Sequence, residues 1–261
     1  MRGRILALLA LAHTPHAFYL PGVSPHEYLE SEPVELRVNK LSSVNTQLPY
    51  DYYSLPFCKP AEITSKIENL GEVLQGAKIQ NTLYQLRMGV NENKAICRMV
   101  YKTDEMKQFA DKVRKDYRVH LIMDNLPAAT RMISELPDGT QVAMYDRGYS
   151  LGFVGSKEIP RTKPGVAYLN NHLRFIVHIH KDPDSYVGSR IVGFEVETYS
   201  VKHTYAGEWG KTSVLETIPP QRETPMQELD EKCASDKACE IIFTYEVMWQ
   251  DSPIAWGSRW D

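Results

Sequence analysis

Two histidines two residues apart are the nearest this chain comes to a reactive constellation. His178 and His180 fall in one alternating run, so both rings project from the same strand face, ~7 Å apart along it. A pair at that spacing binds a metal ion when a third ligand approaches from a neighbouring strand, as a metal-dependent enzyme using His178 and His180 would require. His172 shares that face but lies six residues away, too far to hold the same ion. The preferred reading is plainer: a solvated sheet face in alternation with a core. Glu195 and Glu197 also share a face, yet such carboxylate pairs are common on surface strands and do not make a glycosidase. No Gly-x-Ser-x-Gly, Gly-rich phosphate loop, His-Glu-x-x-His or dinucleotide fingerprint occurs. Gly152-Phe153-Val154-Gly155-Ser156 lacks the nucleophile-elbow order and reads as a turn. No catalytic residue and no cofactor is therefore expected.

The compartment decides what the four cysteines do. Arg2 and Arg4 precede the apolar run Ile5–Ala12, and Thr14-Pro15 follows, the three-part pattern of a secretory signal peptide. Cleavage fits after Ala12, with Ala10 at the third position back, or after Ala17. An eight-residue run is far short of the ~18 that a membrane-spanning helix needs. In an oxidising lumen Cys58, Cys97, Cys233 and Cys239 become disulfides. Three pairings are open, and Cys58–Cys97 with Cys233–Cys239 is favoured because each staples a segment rich in turn residues. No Cys-x-x-Cys spacing supports zinc, and no Asn-x-Ser/Thr sequon is present.

The positioning elements have period two. Val34, Leu36 and Val38 alternate with polar residues, as do Tyr84–Val90, Tyr117–Met123, Leu173–Ile179, Val192–Val196 and Ile241–Trp249. Six such runs between Gly, Pro, Asn and Asp predict a mainly β chain, an antiparallel β-sandwich-like domain. Two short helices interrupt it. Ser65 and Glu68 form a capping box ahead of Ile67, Leu70, Val73 and Leu74, with a stop at Gly76. Thr103 caps the second, whose buried stripe is Met106, Phe109, Ala110 and Val113, with acid first and base last. Long connections remain at Phe18–Pro33, Leu48–Pro60 and Ala206–Lys237.

Charge and aromatic usage set the partners. Lys plus Arg number 30 against 33 Asp plus Glu, a net charge of −3, so no nucleic-acid partner is expected. Tyr50, Tyr52 and Tyr53 lie between prolines in an extended stretch that either wraps the core or presents a partner surface, core wrapping being preferred. Trp249 continues a strand alternation. Trp256 and Trp260 lie beyond that strand and suit a membrane-proximal position, where an apolar ring with one N–H donor is favoured.

Several segments carry a resemblance in a fixed order: Phe18–Gly22, Val38-Asn39-Lys40-Leu41, Leu48–Pro60, Gly71-Glu72-Val73-Leu74 and Tyr117–Leu126 with its Met-Asp-Asn-Leu. Asn170-Asn171-His172-Leu173, Arg190–Val196, Phe243-Thr244-Tyr245 and Ser258-Arg259-Trp260-Asp261 complete the series. Together they resemble the nonaspanin family, also called the endomembrane protein 70 or transmembrane nine superfamily. The resemblance covers nearly all of the chain from Phe18.

That resemblance implies a cleaved signal (1–17), a lumenal N-terminal domain (18–261) and, in family members, nine following transmembrane helices that are absent here. It implies residence in Golgi and endosomal membranes, with the domain on the lumenal side. The implied role is trafficking and localisation of other membrane proteins, adhesion and phagocytosis included. Partners would be membrane-protein clients or lumenal protein segments, met by recognition rather than catalysis. A stand-alone secreted binding module is the alternative.

Overall fold

The computed structural model describes residues 24–66, 78–210, 215, 217, 223–232 and 239–260. Strands dominate. In chain order they are β1 Pro33–Val34, β2 Leu36–Ser42, β3 Ser65–Lys66, β4 Ile79–Asn81, β5 Leu86–Arg87 and β6 Glu92–Val100. After α1 (Thr103–Arg114) come β7 Arg118–Met123, β8 Leu126–Pro127, β9 Ala129–Glu135, β10 Gln141–Arg147, β11 Tyr149–Ser150 and β12 Gly152–Val154. The last are β13 Ala167–Leu169, β14 His172–His180, β15 Arg190–Tyr199 and β16 Glu240–Asp251. The mainly β expectation holds. Among the described residues no helix is long and apolar enough to cross a membrane.

The larger sheet runs β10-β9-β15-β14-β16-β6, and the smaller runs β11-β7-β2-β4-β3 with β8 on β7. Most pairings are antiparallel, but β14 runs parallel to β16, and β9 meets β15 in parallel at the single pair Glu195↔Ala129. A parallel neighbour needs a long return connection, and the stretch from residue 200 to 239 supplies one.

Alternation explains what is buried. On β14, Leu173, Phe175, Val177 and Ile179 point inward, none more than 4% exposed. Val38, Val119 and Leu121 of the smaller sheet, Ile241 of β16 and Phe109 of α1 join them in one core cluster. The buried face of α1 is Met106, Phe109, Ala110 and Val113, as its 3.6-residue period requires. Its N-cap is Lys102 rather than Thr103, with the Lys102 N–H donating to Glu105 Oε2 at 2.8 Å. The helix expected after Ser65 lies outside the described residues from Ile67 to Gln75 and on through Gly76; Ser65 itself begins β3.

The proline-flanked tyrosine stretch wraps this core. Tyr52 and Tyr53 are buried, and Phe57 stacks on Tyr52 while meeting Phe109 and Phe243 edge-on, at centroid distances of 4.1, 5.1 and 5.9 Å. A disulfide between Cys58 and Cys97, with Cα atoms 6.2 Å apart, staples the stretch to β6. Cys239 is also disulfide-bonded, while Cys233, the partner favoured from sequence, lies outside the described residues.

Candidate functional site

The outward row of β14 is His172, Arg174, Ile176, His178 and His180, and its two ends differ. At the far end His178 Nε2 lies 2.9 Å from Glu195 Oε1 on β15, and His180 Nδ1 lies 3.0 Å from the Ser252 carbonyl. The two rings thus have separate partners. Gly193 stands opposite His178, and a Cβ there would come within 2.9 Å of the ring, so the glycine is what admits the imidazole beside β15. The hydrogen bond with His178 is the main cause holding the Glu195 carboxyl below its ordinary range. Among the described residues no three His, Cys, Asp or Glu side chains converge where an ion could sit.

At the near end the same face is covered. His172 is fully buried, its Nδ1 2.7 Å from Thr244 Oγ1, which in turn lies 2.9 Å from His203 Nε2. His203 Nδ1 is 2.7 Å from Thr217 Oγ1. Burial, reinforced by Arg174, pushes His172 down to about 4, and burial with His172 nearby pushes His203 down to about 3. Asn171 anchors the cover: its amide donates to the carbonyls of Val201 and Ile242, and its oxygen accepts from the Val201 N–H, each at 2.8 Å. A buried polar group left unpaired costs about 1–3 kcal/mol, so one asparagine meeting three backbone groups strongly favours this arrangement.

Beside this network opens a groove of about 890 Å³. Val113 and Arg114 at the end of α1, Phe153 of β12, Arg174 of β14, Tyr199 of β15 and the turn residue Arg161 line it, with Ser150, Asn170 and Thr198 adding polar groups. Arg174 bonds Glu246, donates to Glu197 Oε2 at 2.9 Å and donates to the Tyr199 hydroxyl at 2.6 Å. Arg114 bonds Glu231. Arg161 is exposed, at φ +64°, and has no carboxylate partner among the described residues. The groove therefore combines an apolar floor, compensated cations and two exposed charges of opposite sign, Arg161 and Asp116, neither in an ion pair among the described residues, a surface suited to a polar peptide bearing charged groups.

At the opposite end of the sheet the closing residues fold back on the body. Asp124 and Asn125, both at positive φ (46° and 63°), make the two-residue turn between β7 and β8, as Asn and Asp are suited to do. Asp124 Oδ2 accepts from Arg259 Nη1 at 2.7 Å, and Arg259 also donates to the carbonyls of Ile191 and Asp124 at 2.9 and 3.1 Å. Its guanidinium carbon lies 4.3 Å from the Trp256 ring centroid and 5.4 Å from that of Trp260. Both charges are nearly dry: the Arg259 side chain is 0% exposed and Asp124 8%. Burial raises the Asp124 carboxyl above its ordinary value, and Arg259 opposes that rise. Trp256 is half-buried, and Trp260 is 55% exposed beside it.

The residues singled out from sequence thus scatter. Tyr50 keeps part of its ring exposed under the Lys112 ammonium, 3.8 Å from the centroid, whereas Tyr52 and Tyr53 are in the core. His178 and His180 sit apart from the groove. Arg114, Arg161, Arg174 and Tyr199 come from four separate elements, so no linear pattern groups them. Asp124 and Arg259 stood inside two of the quoted segments, but nothing in a linear pattern says that residues 135 apart meet.

The endomembrane protein 70 family model matches residues 49–261. Transmembrane 9 superfamily member 8 of Arabidopsis thaliana is 41% identical over 264 residues, covering 98% of this chain and 39% of that protein. Transmembrane 9 superfamily member 4 of Homo sapiens is 38% identical over 271 residues, covering 98% and 40%. Putative phagocytic receptor 1a of Dictyostelium discoideum is 35% identical over 266 residues, with 98% and 40% covered. This chain spans about two fifths of the length of these relatives. No solved structure matches. The chain belongs to the endomembrane protein 70 family, the transmembrane nine superfamily of endomembrane proteins.

Proposed function

We propose that this chain is the lumenal recognition domain of an endomembrane multispanning protein. In this reading it contacts lumenal segments of client membrane proteins, in Golgi or endosomal membranes, and assists their trafficking and localisation without catalysing a reaction. The observation that carries the reading is the groove: it is large enough for several side chains, and it places Arg161, in no ion pair among the described residues, beside an apolar floor. A disulfide-bearing domain of this kind suits an oxidising lumen. The Arg259 clasp, with Trp256 and Trp260, would then hold the membrane-proximal end rigid while the groove faces the lumen.

The test places a photo-crosslinking amino acid at Thr198, on the groove wall, in cells secreting or retaining the protein. The reading expects adducts with lumenal segments of membrane proteins, lost when Arg161→Glu reverses the charge at that position. Adducts with cytosolic proteins alone, or adducts indifferent to Arg161→Glu, would overturn it. Non-reducing peptide mapping reports the compartment independently, because Cys58 and Cys97 should be recovered linked.

A further inference from the structure

The β9–β10 hairpin leaves the body of the sheet, joined to β15 through one bridge at Ala129 and through Tyr145, whose hydroxyl donates to Glu195 Oε1 at 3.4 Å. Beyond that root both of its faces are open. Ile133 is 62% exposed, Tyr145 59% and Met144 50%, and Met132, Leu136 and Val142 are also exposed. Alternation sorts them: Met132, Met144, Val142 and Leu136 lie on one face, opposite the face that carries Arg131, Ile133, Glu135, Tyr145 and Arg147. β10 is also the outer strand of its sheet. Such an edge invites pairing unless a proline, a bulge or a central charge blunts it. Gln141-Val142-Ala143-Met144-Tyr145 has none of these.

We propose that β10 pairs antiparallel with β10 of a second copy of this chain, about a two-fold axis through Met144. The hairpin's charge pattern selects this occupant. Glu135 and Asp138 stand near its tip, whereas Arg131 and Arg147 stand at its root; Arg131 is turned toward the Glu195 carboxylate of β15, while Arg147 has no ion pair among the described residues. The root's acid, Asp146, is taken by Arg118 at 3.1 Å. An antiparallel copy lays the acidic tip of one hairpin against the basic root of the other, twice. With the axis at Met144, Gln141 faces Arg147, Val142 faces Asp146 and Ala143 faces Tyr145, so no like charges oppose. Glu135 then lies two strands, ~10 Å, from the partner copy's Arg147 on the same face, within reach of those two side chains. The methionine, valine and leucine faces of the two hairpins merge into one apolar stripe, as an isologous interface requires.

Sedimentation of the oxidised chain at rising concentration tests this, with circular dichroism as the check on folding. The chain should reach a dimer, and Met144→Lys should weaken association by roughly tenfold or more. Glu135→Arg and Arg147→Glu should each be monomeric, and an equimolar mixture of the two should dimerise again, since the mixed pair restores both contacts. Met144→Cys should crosslink to itself under mild oxidation. Ile133→Cys, more exposed yet three strand spacings (~14 Å) from its copy, should not. A chain monomeric at every concentration, a mixture that stays monomeric, or equal crosslinking of the two cysteine variants would overturn the proposal. None of these outcomes bears on the groove, whose adducts are read separately.

Discussion

Arg259 and Arg174 are both met by carboxylates, yet they do opposite things with their charge. Arg259 is wholly buried, its two terminal nitrogens met by one aspartate and two carbonyls and its plane by two indole rings, while its Nε finds no partner among the described residues. Arg174 is 25% exposed and shared between Glu246, which is buried, and Glu197, which is not. The first arrangement is a lock: both ions have given up their water, so they tolerate only each other. The second leaves a compensated charge on a groove wall, where an incoming carboxylate can compete with Glu197. Desolvation, more than the count of hydrogen bonds, separates the structural cation from the one available for recognition.

The largest effect should come from opening the lock. Arg259→Ala leaves Asp124 buried without its counterion, and breaking such a pair costs about 3–5 kcal/mol. Denaturant unfolding of the oxidised chain reads it directly. Asp124→Asn keeps an oxygen for Arg259 but leaves a buried guanidinium that, unlike Asp124, cannot be neutralised by a proton, so it should cost as much or more. A loss from Asp124→Asn well below that of Arg259→Ala would mean that Arg259 is held by its carbonyl and indole contacts, and the contrast with Arg174 would narrow.

Arg174→Ala should cost less, about 1.5–3 kcal/mol, the range for hydrogen bonds to charged groups. Glu197 and Tyr199 remain bonded to each other at 2.7 Å and can turn to solvent, so most of the loss belongs to Glu246. The same variant should reduce groove adducts at Thr198, whereas Arg259→Ala, wherever it stays folded, should not. A loss as large as that of Arg259→Ala would place Arg174 with the locks.

Acid sharpens the comparison further, because the cover over the Arg174 end carries two neutral histidines. His172 and His203 fall from an ordinary 6.5 to about 4 and about 3 on folding. The unfolded chain therefore binds protons that the folded chain refuses. The stability these rings contribute is fully present above pH 6.5 and is lost as pH falls from 6.5 toward their folded values. Each ring supplies a slope of about 1.4 kcal/mol per pH unit in that window. Chemical denaturation between pH 6.5 and 5 should show the slope, and His203→Gln should flatten it. A slope unchanged by that substitution would assign the acid sensitivity to other groups, His120 first, since burial also pushes it down to about 4.

What the linear pattern shows depends on whether one face of an element is dry. The runs at Val34–Val38, Tyr117–Met123 and Leu173–Ile179 have one buried face, so their alternation is visible and each lies in a strand or overlaps one; Ile241–Trp249 also lies in a strand, although β16 is buried on both faces from Glu240 to Val247. β9 and β10 have no dry face, so Ala129–Arg147 carries no apolar–polar alternation that would mark a hairpin. β6 is half-covered along its whole length, and its pattern is blurred in the same way. The groove was illegible for a different reason. Its cations come from α1, the turn at Arg161 and β14, and only the fold makes them neighbours. The Asp124-Asn125 turn could be suspected from residue type; its partnership with Arg259 could not.

The smallest effect belongs to the residues that first suggested chemistry. His178 meets Glu195 with side-chain exposures of 25% and 16%, and the pair rests on strands already joined by a long antiparallel ladder that shifts register just after His178. Ion pairs in such half-open settings contribute about 0–1 kcal/mol. His178→Ala and His180→Ala should therefore each shift the unfolding midpoint only slightly, by far less than Arg259→Ala. Thermal unfolding with and without added zinc sharpens the point: a solvated face predicts the same midpoint in both. A zinc-dependent rise of several degrees, abolished by His178→Ala, would return the histidine pair to candidacy and would require a third ligand beyond the described residues. Without that rise, the row along β14 divides by cover alone, its His172 end dry and its His178 end wet, on one strand and one face.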